Sequence, residues 1–409
     1  MTEADGGDRT GTTRVGAPLA ALKTGIFTIA HLVNDTYPNL YPILLPELMA
    51  EMHFGTAAAG LISTVAALTT QLLQPVMGYE ADKRGGRSFV VGGLVIGSVL
   101  TALALAYAPS YGLLLVALLA SGLGNAAFHP HASAIMGELS RKYKGLGMSF
   151  FMIGGNFGRA LAPLLATGAY LLAGRRGLLA VSLPGLLMAL IMAWVLTPPP
   201  VAKPSRGPMI TPEFLSGLRQ AGTLLAVVGL RSMATLTTLT LVPIWWKTMG
   251  RPMTESASLL SVLFIAGSVG NMAGGLLSDL VGAKPVLIGS AVLSSLFLGA
   301  FLLLQRIGAS VLVGLLMIAL LGAALYSTGS VVMVFGQALF PENKGMASGL
   351  TLGLGNTLGA LGVAVMGLVA DRSGPVTGLW VVAVLVLFSI PFVLTLREKA
   401  APTAVGGPT

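Results

Sequence analysis

The chain has 409 residues, of which 54% are hydrophobic and only 10% are charged, with a formal net charge of +9 and no cysteine. A soluble domain carries about 25% charged residues, so this composition is typical of a protein that lies in lipid. The lack of cysteine excludes disulfides and thiolate metal sites. In a soluble protein the basic charge would indicate a nucleic-acid partner, but none is expected here, because membrane proteins concentrate Lys and Arg in loops.

The sequence predicts twelve membrane-spanning helices, because it contains two sets of six apolar runs, each able to cross about 30 Å of hydrocarbon. The first set falls near 22–46, 55–80, 88–108, 111–137, 146–173 and 177–196, and the second near 218–246, 256–280, 285–305, 309–340, 346–370 and 376–396. The prediction is an all-α membrane protein with a disordered cytoplasmic tail at 1–20, a six-helix bundle at 21–196, a cytoplasmic linker at 197–216, a second six-helix bundle at 217–398 and a cytoplasmic tail at 399–409.

The cationic residues outside the apolar runs predict the orientation. With the N-terminus inside, about 16 Lys and Arg residues fall on the cytoplasmic face and six on the opposite face. Because Lys and Arg concentrate in cytoplasmic loops, both termini are predicted to be cytoplasmic in a multi-pass protein of the plasma (inner) membrane.

Ionisable residues inside the predicted spans are costly in lipid and indicate function. At about 1.5 Å of rise per residue, Asp35 lies roughly 20 Å from the cytoplasmic end of its helix, His31 roughly 14 Å, His129 and Arg231 roughly 18 Å, and Arg159 roughly 21 Å. Helices 1, 4, 5 and 7 therefore place polar groups near one level.

His31 and Asp35 share a helix face, and with His129 they are predicted to carry protons. The alternative is a buried hydrogen-bonded pair that only fixes helix 1.

Two arginines face only one carboxylate at this level, which predicts an anionic small-molecule substrate. Each of Arg159 and Arg231 should pair with Asp35, with a substrate anion or with water, and for each a purely structural role in holding helices together stays open. The candidate substrate contacts are Asn156, Arg159, Arg231, His131 and Tyr326.

No metal is expected, because no carboxylate or cysteine completes the histidines at the usual spacing. His129 and His131 flank Pro130 and point to different faces, so one of them, His129, is expected to face the cavity. An enzyme is not expected either, since no nucleophile–base–orienter set or nucleotide-binding loop appears. A non-transporting membrane scaffold or sensor is the alternative from another class, and it would not require charged residues at the midplane.

The pattern Gly-x-x-x-Asp-x-x-Gly occurs twice, 197 residues apart, each time between two apolar runs. Two similar halves are the usual plan of a secondary transporter. The glycines permit close helix packing, and each Asp can bind a helix N-terminus or a cation, so a role in conformational gating is predicted. The residues concerned are Gly78, Asp82, Gly85 and Arg87 in the first copy and Gly275, Asp279 and Gly282 in the second.

The duplicated pattern resembles the loops between helices 2 and 3, and helices 8 and 9, of the major facilitator superfamily. Four segments look like the fosmidomycin resistance family of drug exporters, namely His31–Asp35, Leu72–Pro75, Phe128–Pro130 and Gly154–Gly158 with Pro163. The resemblance implies the major facilitator fold, with two halves related by a pseudo-two-fold axis, and efflux of a small anionic phosphonate antibiotic or related compound. It implies the proton gradient as energy source without a cofactor, and a monomer is expected.

Two positions depart from that family. His131 stands where the family usually has Glu, and Arg159 stands where it usually has a small residue. Both leave the substrate open, and the direction of transport stays open too, because export and uptake of an organic anion share one rocking mechanism.

Overall fold

The computed structural model describes residues 17–84, 86–139, 144–196, 212–339 and 349–396, and within these ranges the regular structure is helical, with no strand. The helices of the first half are α1 (Ala17–Thr36), α2 (Tyr41–Met52), α3 (Thr56–Arg84), α4 (Arg87–Tyr107), α5 (Tyr111–Leu139), α6 (Lys144–Gly177) and α7 (Ser182–Val195). Those of the second half are α8 (Pro212–Thr248), α9 (Met253–Val281), α10 (Ala283–Arg306), α11 (Val311–Tyr326), α12 (Gly329–Leu339), α13 (Gly355–Ser373), α14 (Pro375–Leu385) and α15 (Ser389–Thr395).

These helices make twelve crossings, which confirms the predicted fold class. Nine segments of the described chain are long and apolar enough to cross a membrane by length and composition, and one of them, Gly147–Val195, contains both α6 and α7. The broken helix α1–α2 and helix α13 supply the other two crossings. Large apolar side chains face outward, as expected in lipid: Leu172, Trp194 and Leu280 are 88%, 86% and 82% exposed.

The predicted segment boundaries differ slightly from the helix ends. Helix α1 begins at Ala17 and α8 at Pro212, so both helices start a few residues inside the predicted tail and linker. The remainder of the tail at 1–20, the linker residues 197–211 and the tail at 399–409 lie outside the described residues.

Prolines divide the first span into two helices. Pro38 lies in a 3-10 turn at Tyr37–Asn39, and Pro42 lies in the first turn of α2, where its missing N–H costs nothing. The Asn39 side chain donates to the Asp35 carbonyl at 2.8 Å, which satisfies a backbone acceptor at the end of α1. The break therefore leaves Asp35 in the last turn of α1.

Glycines bring α1 and α6 into direct contact. A Cβ at Gly154 would meet the carbonyl of Thr28, and a Cβ at Gly158 would meet the carbonyl of Leu32. Only glycine permits this approach, because any side chain would push the two backbones apart. The crossing places the middle of α6 against the part of α1 that carries His31 and Asp35.

The two halves meet where α3 crosses α13. A Cβ at Gly60 would touch the backbone of Val363 and Gly367, so the crossing depends on small residues. Beside it, the Thr64 hydroxyl donates to the Ala360 carbonyl at 2.7 Å. Helices α6 and α9 form a second contact between the halves.

Charged groups join the halves at one face of the protein. We call the face with residues 86–87 and 281–283 the termini face, because α1 begins and α15 ends on that side, and we call the other side the opposite face. At the opposite face, Lys247 pairs with Glu47 at 2.6 Å. The Ala57 N–H, at the start of α3, donates to the carboxylate of Asp371 from α13 at 3.4 Å. These contacts join the two halves at the opposite face.

We expect Gly158→Ala to lower the thermal stability of the detergent-purified protein, because its methyl group would meet the Leu32 carbonyl. Overpacking of this kind typically costs about 1–3 kcal/mol. Gly168→Ala on the same helix is the matched control, since nothing lies within 4 Å of a Cβ there. That change should be neutral or slightly stabilising. An equal loss of stability in both variants, measured by thermal unfolding, would contradict the packing argument.

Candidate functional site

The carboxylate of Asp35 lies at the centre of a buried polar cluster in the first half. Arg159 from α6 donates to Asp35 Oδ2 twice, from Nε at 3.1 Å and from Nη2 at 2.9 Å. His129 Nε2 from α5 lies 3.1 Å from Oδ1. Asn34 Nδ2 also donates to Oδ1, at 3.2 Å. The Asp35 side chain is only 3% exposed, so these contacts replace its hydration.

The tautomer of His31 follows from its contacts. Its Nδ1 lies 2.7 Å from the carbonyl oxygen of Phe151, which can only accept, so Nδ1 carries a hydrogen. In the neutral ring Nε2 then has a lone pair, and it lies 3.4 Å from Asp35 Oδ2. Nε2 is buried and has no hydrogen-bond partner. A proton added at Nε2 would turn a repulsive contact between lone pairs into an ion pair.

Aromatic packing and a glycine position this ring. His31 stacks on Phe151 with a centroid distance of 4.0 Å and meets His129 edge-on at 5.1 Å. A Cβ at Gly155 would collide with the His31 ring and with Asp35 Oδ2. Gly155 therefore has to be glycine for the imidazole and the carboxylate to share this space.

The cluster is reachable from one side. The side chains of His31 and Asp35 are each 3% exposed, whereas those of His129 and Arg159 are 21% and 30% exposed. Solvent can therefore contact Arg159 and His129, whereas it hardly reaches Asp35 and His31.

The second half contributes Tyr326 to the surroundings of this cluster. Tyr326 packs on Gly267 and lies within electrostatic range of Arg159 across the interface between the halves. Asn156 accepts from Arg159 Nη1 at a long 3.5 Å. Both residues were predicted to contact the substrate, and the structure brings both close to Arg159.

Arg231 does not join this cluster, which corrects the expectation that the two arginines lie together at one site. Its Nη2 donates to Ser290 Oγ at 2.5 Å and to the carbonyls of Ala324 and Leu325 at 3.3 and 2.8 Å. Those carbonyls belong to the last turn of α11, where the tenth span breaks before α12. Arg231 is 5% exposed and donates to acceptors at that break. These contacts support the purely structural role for Arg231, in which it holds helices together.

His131 also points away from Asp35. Its imidazole occupies the space that a Cβ at Gly86 would fill, in the loop between α3 and α4. This position lies at the termini face, one half-turn of helix beyond His129, in agreement with the expectation that the two histidines face different ways.

The loop residues of the duplicated pattern are only partly described. Gly85, the surroundings of Gly78 and the side chain of Asp82 lie outside the described residues. In the second copy Gly275 packs against Ser330 of α12, and Asp279 is exposed. Gly282 has a φ of 88°, which favours glycine, and it separates α9 from α10.

The basic residues after each copy make equivalent contacts. Arg87 donates to the carbonyl of Ala193 at 2.5 Å, near the end of α7. Lys284 donates to the carbonyl of Leu394 at 3.2 Å, near the end of α15. Each cation therefore binds the negative end of the last helix in its own half, which is direct evidence of the internal duplication in three dimensions.

The expectation that no metal binds stays a prediction, although the fold brings a carboxylate next to two of the histidines. Ligand atoms of His31, Asp35 and His129 lie within 4.8 Å of one another. The carboxylate comes from a different helix than His129, so spacing along the chain could not reveal the set. Asn34, the Phe151 carbonyl and Gly155 were missed for the same reason, although Gly155 and Asn34 lie in segments that the sequence had singled out.

Twelve crossings in two similar halves, with a buried ionisable cluster between helices at mid-depth, define the class of membrane transporters. The family model of the Major Facilitator Superfamily matches residues 27–360 and 223–408. The chain belongs to this superfamily.

Two curated relatives are similar over most of their length. The fosmidomycin resistance protein of Escherichia coli (strain K12) is 30% identical over 364 residues, which cover 85% of this chain and 86% of the relative. The uncharacterized MFS-type transporter YfnC of Bacillus subtilis (strain 168) is 28% identical over 387 residues, which cover 91% of this chain and 93% of the relative. The predicted resemblance to the fosmidomycin resistance family is confirmed.

Solved transporters share the fold. A bacterial homologue of the human lysosomal transporter Spinster, in an inward-facing and occupied conformation, matches with a TM-score of 0.76 at 16% identity, covering 95% of this chain and 100% of that chain. The nucleoside transporter NupG matches with a TM-score of 0.76 at 15% identity, covering 92% of this chain and 100% of that chain. Together these matches establish an integral, multi-pass inner-membrane transporter.

A double-mutant cycle on stability should separate the two arginines. Asp35→Asn and Arg159→Met should couple by about 1–3 kcal/mol in the free energy of unfolding, because each change leaves the remaining charged residue without its oppositely charged partner. Asp35→Asn and Arg231→Met should be additive within about 0.5 kcal/mol, because the Arg231 side chain donates to Ser290, Ala324 and Leu325 of the second half. Denaturation of the purified variants measures both, and coupling between Asp35 and Arg231 would contradict the assignment.

Proposed function

We propose that the chain is a proton-coupled carrier of a small organic anion, and that the Asp35–Arg159 ion pair exchanges one partner during the cycle. The observation that carries the proposal is that Arg159 both pairs with Asp35 and remains partly exposed. Its guanidinium donates twice to a buried carboxylate, and its side chain, at 30%, is the most exposed of the ionisable partners of that carboxylate. An anion that binds Arg159 competes with Asp35, and a proton on Asp35 or His31 then compensates for the lost charge.

The proton has a defined place in this scheme. His31 Nε2 and Asp35 Oδ2 share it, because the lone pair of the imidazole points at the carboxylate. His129 supports the carboxylate from the other side through Oδ1. The three residues predicted to couple protons are therefore in direct contact around one carboxylate.

The change between states follows the usual rocking of two halves. Access to the site from the opposite face requires the contacts there to separate, including the Glu47–Lys247 ion pair and the bond between Ala57 and Asp371. The duplicated loops at the termini face, with Asp82 and Asp279, are proposed to stabilise the alternative state.

Export in exchange for protons is the proposed direction. It is supported by the relative named as a fosmidomycin resistance protein and by the cationic site, which suits a phosphonate or a related drug-like anion. The proposal includes both termini in the cytoplasm, a monomer, no cofactor and no enzymatic activity, and it makes the protein an antiporter that confers antibiotic resistance.

Uptake by proton symport is the second candidate, and one observation favours it. Because the anion and Asp35 compete for the same guanidinium, occupation of Arg159 by an anion promotes protonation of the cluster. The local electrostatics therefore favours binding of proton and anion together, whereas exchange requires the two to bind at different stages of the cycle.

Transport in proteoliposomes tests the coupling. Asp35→Asn should abolish fosmidomycin accumulation driven by a pH gradient, because the amide neither titrates nor holds Arg159 as an ion. Counterflow of labelled against unlabelled compound should persist. The matched control is Glu51→Gln, the same change on an exposed residue that pairs with Arg175 at the opposite face. Accumulation by the Asn variant driven by pH alone would show that another group carries the proton.

The sign of the proton linkage decides the direction. For symport, fosmidomycin affinity measured in detergent should rise as the pH falls, because the anion and the proton stabilise each other's binding. For exchange, affinity should fall, and that result would also contradict the competition between the anion and Asp35 for Arg159. Cells that express the chain should tolerate more drug in the second case and less in the first, so affinity and tolerance together distinguish the two candidates.

A further inference from the structure

We propose that His31, Asp35 and His129 form a binding site for a divalent transition-metal ion of the Zn²⁺ class, and that a bound ion blocks transport. The block rests on the proposed function, because the ion would occupy the place assigned to the proton. The binding itself rests on the geometry alone.

The donor atoms meet the requirements of such a site. Two imidazole nitrogens and a carboxylate oxygen lie within 4.8 Å of one another, so small side-chain movements bring all three to one ion at about 2.0–2.2 Å. His31 Nε2 is buried and without a hydrogen-bond partner, and its lone pair points into the cluster. Its Nδ1–H is held by the Phe151 carbonyl, the outer contact that orients metal-binding histidines.

The ligand types select the metal. Two neutral imidazoles with one carboxylate suit Zn²⁺, Co²⁺ or Ni²⁺, whereas Mg²⁺ and Ca²⁺ require a shell of oxygen ligands. Three protein ligands leave coordination positions for water on the side where His129 and Arg159 are exposed. His129 carries its proton on Nδ1 when Nε2 binds the ion, so the ring stays neutral.

The ion also displaces the cation that Asp35 already holds. Arg159 donates twice to Oδ2, and a metal on this carboxylate weakens those bonds by competing for its charge. An ion bound here therefore fixes the carboxylate and prevents the exchange of partners on which transport depends.

Co²⁺ is the probe, because tetrahedral Co²⁺ sites absorb visible light. Full-length protein without a polyhistidine tag is titrated with CoCl₂ and then with ZnCl₂, and Zn²⁺ should displace Co²⁺ with one ion per chain. His129→Ala removes a partly exposed ligand and should weaken Co²⁺ binding about tenfold or more. The matched control is His53→Asn, which removes an exposed imidazole between α2 and α3 at a φ of 54° that asparagine tolerates and should leave Co²⁺ binding unchanged.

The same preparations reconstituted in proteoliposomes separate this inference from the proposed function. Zn²⁺ should inhibit pH-driven fosmidomycin transport in the wild type and in His53→Asn at the concentrations that displace Co²⁺. Absence of Co²⁺ binding, or binding that survives His129→Ala, would overturn the metal site while leaving the proton-coupled carrier intact. Binding at this site with undiminished transport would overturn the block and contradict the role given to the cluster in proton coupling.

Discussion

The ion pair between Asp35 and Arg159 is the interaction on which the rest of the first half depends. Transferring a carboxylate from water to a site that is 3% exposed costs several kcal/mol unless cations and donors compensate for the lost hydration. Arg159, His129 and Asn34 provide that compensation, and they come from three helices. The close approach of α1 and α6, made possible by Gly154, Gly155 and Gly158, is what allows one carboxylate to bind them all.

The two halves use their buried arginines in different ways. Arg159 binds a charged group and keeps a 30% exposed side chain, so its partner can be exchanged. Arg231 binds neutral carbonyls at the break between α11 and α12 and is only 5% exposed, so its partners are fixed. The duplicated sequence therefore carries an asymmetric distribution of chemistry. The first half holds the ionisable cluster, and the second half adds Tyr326 beside it.

The fold was accessible from the sequence, because apolar length alone predicts membrane helices and the duplicated loop pattern reveals two halves. The meeting of His31, Asp35, His129 and Arg159 was accessible too, from their common depth. Depth alone could not separate Arg231 from the residues around Asp35, because Arg231 lies at the same predicted level but points into its own half. A helix break creates the acceptors that hold it, and no residue pattern in the tenth span predicts where those carbonyls point. His131 was likewise named as a substrate contact, while its contact with Gly86 depends on how α5 packs against the loop between α3 and α4.

The central claim is that Arg159 is shared between Asp35 and an anionic substrate. The most direct measurement is the equilibrium affinity of fosmidomycin for purified Asp35→Asn, compared with wild type at a pH where Asp35 is ionised. If the carboxylate competes with the substrate for the guanidinium, its removal should strengthen binding, by up to about tenfold for one charge-assisted contact. Weaker binding in the Asn variant, with the protein still folded, would contradict the account, because it would mean that Asp35 assists the substrate instead of competing with it.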